Sequence, residues 1–448
     1  MGPIWLGIDD TDSPNGGCTT WVLTELLDEA RGRGIDLIGE PRLVRLNPNI
    51  PWKTRGNAAL SARFGIGRGA RRRLGEVGGR PVWSYPDGTK LSPAAAESFV
   101  EAAWSRVLRS SRTGEPGTDP ALVAVDRRLP ASLYWRAVRD VVSVDDIVGR
   151  LARAGATVRT SGAKRGIVGA AAAVAWPGSH PTWELIAYRE RERWGSRREL
   201  DTESVRRAQD RFPELFLCHD PRTRRVLVAP HTPCPILFGL RATRPGAPIA
   251  ARRSIVSEAV DRWVLFRTNQ GSGDHLLARP VANLLAYGSA YIAGRVVSAP
   301  AVREGGHVSF VLADGAGDEI TCRAFEPTKT LPSVAQALRP GDRVRVWGSR
   351  DRSPDLRLEG IEVRRLAARW GPARPPRCAR CGRATRSLGR TRGFRCARCR
   401  RRWPPEAATR ARLVPELQPG IYHPTPSARR HLAVRGPEPG RTGRSESF

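Results

Sequence analysis

The hydrophobic pattern changes character along the 448-residue chain. Up to about residue 256, helical and strand-like periods alternate. From there to about 368, only short β-type runs occur. Ile4, Trp5, Leu6 and Ile8 read as a buried strand, and Trp21 to Arg31 as the helix that follows it. Arg42 to Leu46 and Ala59 to Phe64 read as further strands, and Ala94 to Arg109 as a helix. Ser110 to Pro120 is a Gly/Pro/Ser-rich linker or lid. A helix is predicted from Val144-Asp145 to Ala154. The alanine-rich run Ile167 to Trp176 predicts a strand, Trp183 to Tyr188 another, and Glu203 to Asp210 a helix. Within Val226 to Phe238, Pro230-His231-Thr232-Pro233-Cys234-Pro235 makes a rigid loop.

Five short strands are predicted next: Tyr291 to Val297, His307 to Leu312, Glu319 to Phe325, Arg343 to Trp347 and Arg357 to Val363. A helix lies between the third and fourth. That order predicts an OB-fold barrel, a common nucleic-acid platform. Beyond it, Cys378-Ala379-Arg380-Cys381 and Cys396-Ala397-Arg398-Cys399 form two C-x-x-C pairs fourteen residues apart. Four thiolates so spaced predict a tetrahedral zinc site between two knuckles of a ribbon, closed and therefore structural.

Charge adds a partner. The formal net charge is +31, almost all from arginine, since only Lys53, Lys90, Lys164 and Lys329 are lysines. The arginine, alanine, glycine and proline content is that of a GC-rich genome, which exchanges Lys for Arg without altering charge. From Arg369 to Phe448 there are 20 Arg and 4 Glu, a surplus of sixteen positive charges. Such a surplus points to a polyanion, most simply nucleic acid. The remaining cysteines (Cys18, Cys218, Cys234 and Cys322) are scattered, which suits a reducing compartment better than a disulfide framework. No apolar run is long enough to span a bilayer, and neither a secretory leader nor a myristoylation signal is expected.

The candidate chemistry is concentrated at the end of the first strand. Gly7-Ile8-Asp9-Asp10-Thr11-Asp12 places three carboxylates within four positions, and Gly16-Gly17-Cys18-Thr19-Thr20 opens the helix. Buried like charges need a counter-charge, commonly a divalent cation held by oxygens. A helix N-terminus favours an anion. One short segment therefore offers magnesium ligands and a phosphate site, although Thr19 and Thr20 also suit a helix cap. Lys53, Arg55 and Asn57 lie in the proline-flanked loop Asn47 to Asn57 and could contact ATP phosphates or an RNA backbone. No Walker A sequence is present, so a conventional P-loop is excluded. Glu184, and Asp220 in Cys218-His219-Asp220, are carboxylates that could meet a cationic small molecule.

Taken together these motifs resemble the archaeal 2-agmatinylcytidine synthetases. The resemblance runs through Gly7 to Asp12, Gly17 to Thr20, Arg42 to Asn57, Gly166-Ile167-Val168-Gly169-Ala170 and Trp183 to Arg189. It continues through Pro230 to Pro235, Phe266-Arg267-Thr268-Asn269-Gln270-Gly271, Ala324 to Lys329 and the four cysteines. It implies a multidomain α/β plus all-β protein. A kinase-like ATP-binding catalytic domain would occupy 1–125, a ferredoxin-like domain 126–256, an OB-fold nucleic-acid-binding domain 257–368, and a zinc ribbon with a basic tail 369–448. The tail after Arg435 is expected to be disordered.

The implied reaction converts the wobble cytidine of the AUA-reading isoleucine tRNA, whose anticodon is CAU, into 2-agmatinylcytidine. ATP phosphorylates cytosine O2, and agmatine displaces phosphate at C2. The family is also thought to phosphorylate the threonine matching Thr19 and to cleave ATP to AMP and pyrophosphate. On this resemblance Asp9, Asp10, Asp12 and Thr19 are catalytic, with magnesium on the aspartates. Thr20, Lys53, Arg55 and Asn57 contact ATP. Gly166, Gly169, Glu184, Tyr188 and Asp220 line the agmatine pocket. A cytoplasmic location is implied. A non-enzymatic OB-fold and ribbon RNA-binding protein, or a metal-dependent phosphohydrolase or nuclease, are the alternatives of a different class.

Overall fold

A computed structural model describes residues 2–436; the expected disordered tail falls almost wholly outside the described residues. The first unit contains β1 (Ile4–Asp9), α1 (Thr19–Gly32), β2 (Asp36–Arg45), β3 (Ala58–Arg68), β4 (Arg72–Val77), β5 (Arg80–Tyr85), β6 (Asp87–Thr89) and α2 (Pro93–Ser110). It continues with β7 (Ala121–Val125), α3 (Ala131–Arg139), α4 (Val144–Arg153) and β8 (Thr157–Thr160). The second contains α5 (Gly166–Ala175), β9 (Thr182–Arg189), α6 (Thr202–Arg211), β10 (His219–Asp220), β11 (Arg225–Val226), β12 (Ile236–Ala242), α7 (Gly246–Arg252) and β13 (Val260–Thr268).

One mostly antiparallel sheet joins both units, in the order β12-β9-β13-β4-β5-β2-β3-β1-β7-β8, with β6 on β3. β2 makes the junction possible. It bends at Gly39, whose φ of 72° favours glycine. Before the bend Leu37 and Ile38 pair with β5; beyond it Arg42 and Leu43 pair with Arg267 and Thr268 of β13. The expected barrel boundary at 257 therefore falls too early, because β13 runs along β9 in the large sheet rather than in the barrel. Likewise β7 and β8 stand on either side of 125 and form one ladder with β1. Both boundaries were drawn from local composition, which carries no information about pairing across the sheet.

The run Ile167 to Trp176 is a second correction: it forms helix α5, not a strand. A short, wholly apolar run fits either element, and alanine's high helix propensity decides this one. Its small side chains let the helix lie almost on the sheet. A Cβ at Gly7 of β1 would come 2.2 Å from the Ala170 carbonyl oxygen.

The barrel follows, with β14 (Leu277–Ala278), β15 (Ser289–Val296), β16 (Ala301–Val302), β17 (Val308–Ala313), β18 (Glu319–Ala324), α8 (Thr330–Ala337), β19 (Arg343–Ser349) and β20 (Leu356–Arg365). The five principal strands and the helix between the third and fourth stand where the apolar alternation placed them. Pairing of β15 with both β19 and β17 closes the barrel. After it come β21 (Arg369–Trp370), the three ribbon strands β22 (Thr385–Ser387), β23 (Phe394–Cys396) and β24 (Arg402–Trp403), then β25 (Arg412–Leu413) and β26 (Gly420–Tyr422). β26 returns to the barrel and pairs with β20. No helix among the described residues is long and apolar enough to cross a membrane.

The close helix–sheet contact is directly testable. Gly7→Val should lower unfolding free energy by about 3 kcal/mol, an overpacking cost, read as a denaturant midpoint shift. An unchanged midpoint would show that α5 can retreat.

Candidate functional site

A cavity of about 560 Å³ lies where the two α/β units meet. Asp9, Asp10 and Asp12 line it, with Cys18, Thr19 and Thr20 at the start of α1. The 50–57 loop, the start of α5, Glu184, Arg241, Pro230, Thr232, Cys234 and His431 complete the wall. That volume suits a nucleotide-sized ligand.

Strand β1 delivers the carboxylates. Asp10 has φ 59°, a left-handed conformation that Asp tolerates better than most residues, and its N–H donates to Asp9 Oδ1 at 2.8 Å. Asp119 is a fourth carboxylate, which the sequence places inside the Ser110 to Pro120 linker. It is buried at the start of β7, the antiparallel neighbour of β1, and its N–H donates to the Asp10 carbonyl at 3.1 Å. Its position just ahead of a fully apolar strand, mirroring Asp9, was the available signal. Asp119 Oδ2 accepts from the Arg165 N–H at 2.7 Å.

Burial holds the Asp9 carboxyl well above the usual range, with Asp10 adding repulsion. Burial also raises Asp10 to about 7, with Asp12 and Asp119 adding to it and Arg165 opposing. Asp12 is raised by burial too, against the pull of Arg55.

Arg55 does something other than wait for phosphate. Its Nε lies 3.1 Å from Asp12 Oδ2, and its Nη2 donates to the carbonyls of Ser13, Gly16 and Gly17 at 2.9, 2.7 and 2.9 Å. It is the clamp that folds the acidic loop and neutralises Asp12. Asn57 donates to the Asn47 carbonyl at 2.7 Å, and Lys53 Nζ to Ile50 at 3.1 Å, leaving the exposed Lys53 ammonium the freest cation of the loop. The 110–120 segment is no loose lid. Arg112 N–H donates to Thr11, Thr118 Oγ1 to Asp12, and Ser13 Oγ to Glu115.

Cys18, rather than a threonine, takes the cap position of α1. Thr19 Oγ1 accepts from Thr11 Oγ1 at 3.1 Å, and Thr20 Oγ1 lies 3.0 Å from Cys18 Sγ. Both threonines face the cavity beside the helix N-terminus, which leaves them free of capping duty there.

Of the five pocket candidates, Gly166 and Gly169 are in the wall at the start of α5. A Cβ at Gly169 would stand 1.7 Å from Asp9 Oδ2, and one at Gly166 2.5 Å from the Asp119 carbonyl. Only glycine lets the helix meet the acidic strand end. Glu184 is also in the wall, but its oxygens are met by Arg241 Nε at 3.3 Å and Arg45 Nη2 at 3.6 Å. Tyr188 is fully buried and does not line the cavity; its hydroxyl lies behind Cys18 and Thr20, which do. Asp220 is buried away from the cavity, accepting from the N–H groups of Arg222 and Ser427 at 3.0 and 3.1 Å. A carboxylate on a two-residue strand carries no sequence mark of which side it faces. Arg45, Arg165, Arg241 and His431 are wall residues that the sequence reading did not select.

The ribbon sulfurs converge. Cys378, Cys381, Cys396 and Cys399 bring their Sγ atoms within 4.8 Å of one another. A tetrahedral zinc with bonds of about 2.3 Å needs edges of about 3.8 Å, so the four thiolates fit the ion. Asp9, Asp10 and Asp12 do not converge in that way.

Comparison with known proteins covers nearly the whole chain. Family models described as the TiaS TCKD domain, the TiaS FLD domain, an OB-fold nucleic acid binding domain and the TiaS C-terminal zinc ribbon domain match residues 5–162, 164–275, 290–363 and 375–410. The isoleucine-2 tRNA 2-agmatinylcytidine synthetase TiaS of Archaeoglobus fulgidus is 36% identical, over 96% of each chain. That of Methanocaldococcus jannaschii is 32% identical over 96% of this chain and 97% of its own. Among solved structures, a complex of TiaS with isoleucine-2 tRNA and ATP superposes with TM-score 0.83 at 34% identity, covering 98% of this chain and 99% of that one. A complex of TiaS with the same tRNA, AMPCPP and agmatine gives 0.80 at 32% identity, covering 98% and 99%.

Two outcomes follow from the charges and the sulfurs. Asp10 titrates near 7 in the folded chain and near 3.8 unfolded, so its contribution to stability is complete below about pH 4 and lost as pH rises through 7. In magnesium-free buffer Asp10→Asn should match the wild type's unfolding temperature at pH 4 and exceed it at pH 8; a constant gap would refute this. Cys378→Ser should lower bound zinc from one per chain to near zero, measured by atomic absorption, and expose 375–410 to proteolysis; full zinc content would contradict the four-sulfur site.

Proposed function

The chain belongs to the TiaS family of 2-agmatinylcytidine synthetases acting on isoleucine-2 tRNA, from which we infer that it is an ATP-dependent ligase converting the wobble cytidine of the AUA-reading isoleucine tRNA to 2-agmatinylcytidine. The observation that carries this is similarity over the full chain to a structure holding the isoleucine-2 tRNA, AMPCPP and agmatine together. Binding-only and nuclease readings are set aside, because the relatives are synthetases along their whole length.

The C2–O2 bond of cytosine is hard to break because its oxygen is a poor leaving group. A phosphoryl group passes from ATP to O2. The primary amine of agmatine then attacks C2, the C2–O2 bond breaks with phosphate leaving, and the amine nitrogen gives up its proton. Transfer of this kind depends on positioning and charge stabilisation more than on covalent help.

We assign the roles within the cavity as follows. Thr19, held by Thr11 at the N-terminus of α1, is the candidate phosphoacceptor. Thr20 and Lys53 face the nucleotide phosphates. Arg55 and Asn57 support that face by folding the loops that carry it. Asp9 and Asp10 are the oxygen donors for magnesium, with Asp12 kept in place by Arg55. Their crowding and raised affinity for protons fit a cation site. When bound, magnesium would offset the negative charge of carboxylates and phosphates. Agmatine is placed at the start of α5, where Gly166 and Gly169 leave the wall bare beside these carboxylates and a cationic chain finds opposite charge. Glu184 lies in the same wall, its charge met by Arg45 and Arg241.

Kinase-like and ferredoxin-like are our labels for the two α/β units, which carry the chemistry in the cytoplasm. The barrel and the arginine-rich ribbon hold the tRNA, the ribbon fixed by structural zinc.

Incubation with ATP, magnesium, radiolabelled agmatine and isoleucine tRNA of anticodon CAU should place label on the wobble cytidine. Asp9→Ala or Asp10→Ala should cut incorporation by at least about 10³-fold while the tRNA dissociation constant stays within about threefold. Parallel loss of binding would make the aspartates structural.

A further inference from the structure

Resting on that reading, we propose that the segment after the ribbon, residues 424–435, completes the catalytic cavity, and that its His431 is a positioning residue for the phosphate-facing end.

The segment is stitched to every unit it passes. Thr425 N–H donates to the Thr328 carbonyl at 3.3 Å, beside the barrel, and Ser427 N–H to the buried Asp220. Arg430 Nη1 bridges Asn49 Oδ1 at 2.7 Å, Ser349 Oγ at 2.9 Å and Glu359 Oε1 at 3.2 Å, joining the 47–57 loop to the barrel. The His431 carbonyl accepts from Gly271 N–H at 2.8 Å, and that of Leu432 from Gly273 N–H at 2.9 Å. Leu432 is then buried in the core of the first unit, in one cluster with Val44, Leu46 and Ile167.

Between these anchors the His431 ring enters the cavity wall. With the Gln270 amide turned to satisfy its neighbours, Gln270 donates to Glu184 Oε2 at 2.9 Å. Its oxygen then accepts from Arg241 Nε at 2.5 Å and from His431 Nδ1 at 3.3 Å. The other edge of the ring rests on the basic loop. A Cβ at Gly56 would lie 3.3 Å from His431 Cδ2 and 2.9 Å from Arg45 Nη1. The Arg45 and Arg241 charges, with burial, hold the imidazole neutral, its pKa well below the ordinary value. A neutral ring with Nδ1–H directed at Gln270 fixes Glu184 and both arginines on one side and the 50–57 backbone on the other. Two arginines against one glutamate leave this part of the wall positive. This part of the wall, beside the 50–57 loop with its exposed Lys53, suits the phosphates of an anionic nucleotide.

The experiment uses the full-length protein with His431→Ala and His431→Asn, since Asn can place an N–H close to the position of Nδ1. His431→Ala should raise KM for ATP at least tenfold, with KM for agmatine, tRNA affinity and unfolding temperature within threefold or a few degrees of wild type. His431→Asn should bring KM for ATP back to within threefold. Amide exchange at residues 50–57 should quicken in His431→Ala and return in His431→Asn. An unchanged KM for ATP, a shift in agmatine KM instead, or a loss that Asn does not rescue overturns the proposal. Should the alanine variant fail to fold, the asparagine variant and its exchange pattern decide alone. A wild-type chain that incorporates no agmatine would refute the synthetase reading, while the exchange of 50–57 would still test the role of His431.

Discussion

Four carboxylates, Asp119 buried and the others half-buried, gather at one corner, and most of what surrounds them makes that tolerable. Asp9, Asp10 and Asp12 leave β1 together, and Asp119 joins them from the neighbouring strand. Left alone they would take up protons, as the raised Asp9 and Asp10 show. Arg55 ties down Asp12 and the loop behind it, Arg165 faces Asp10, and α1 turns its N-terminus towards the same space. What remains is a carboxylate-rich cavity wall whose charge is only partly offset by these arginines.

The second constraint is closeness. Helix α5 brings no charged side chain to the corner; it brings bare backbone. Gly7 lets it lie on β1, and Gly166 and Gly169 let its first turn reach the carboxylates. Side chains at these positions would push the helix away and open the cavity. The alanines that follow keep the rest of the helix thin enough to stay buried between sheet and neighbouring helices.

Continuity then links chemistry to grip. The bend of β2 lets one strand pair with both α/β units, so the cavity between them has a shared wall. The chain passes from this sheet through the barrel and the ribbon and returns at residues 424–435, with Arg430 touching the first unit and the barrel at once. The returning segment thus ties the barrel to the wall of the cavity, where His431 stands.

Patterns confined to a few neighbouring residues could be read directly. The four-cysteine spacing, the five barrel strands with their intervening helix, and the crowding of Asp9, Asp10 and Asp12 all needed only local periodicity or ligand chemistry. Where a decision depended on what lay opposite, the sequence was silent. It could not place Asp119 beside Asp10, turn Arg55 from a phosphate contact into a clamp, or bury Tyr188 and Asp220 away from the cavity. The run 167–176 was ambiguous for the same reason, since apolarity names the burial and not the element. His431, more than 370 residues from the loop it rests on, became a wall residue only through the path of the folded chain. Local side-chain chemistry and period are properties of a segment. Partnership, facing and charge balance belong to the packed whole, because they are set by distances between residues that the chain alone keeps far apart.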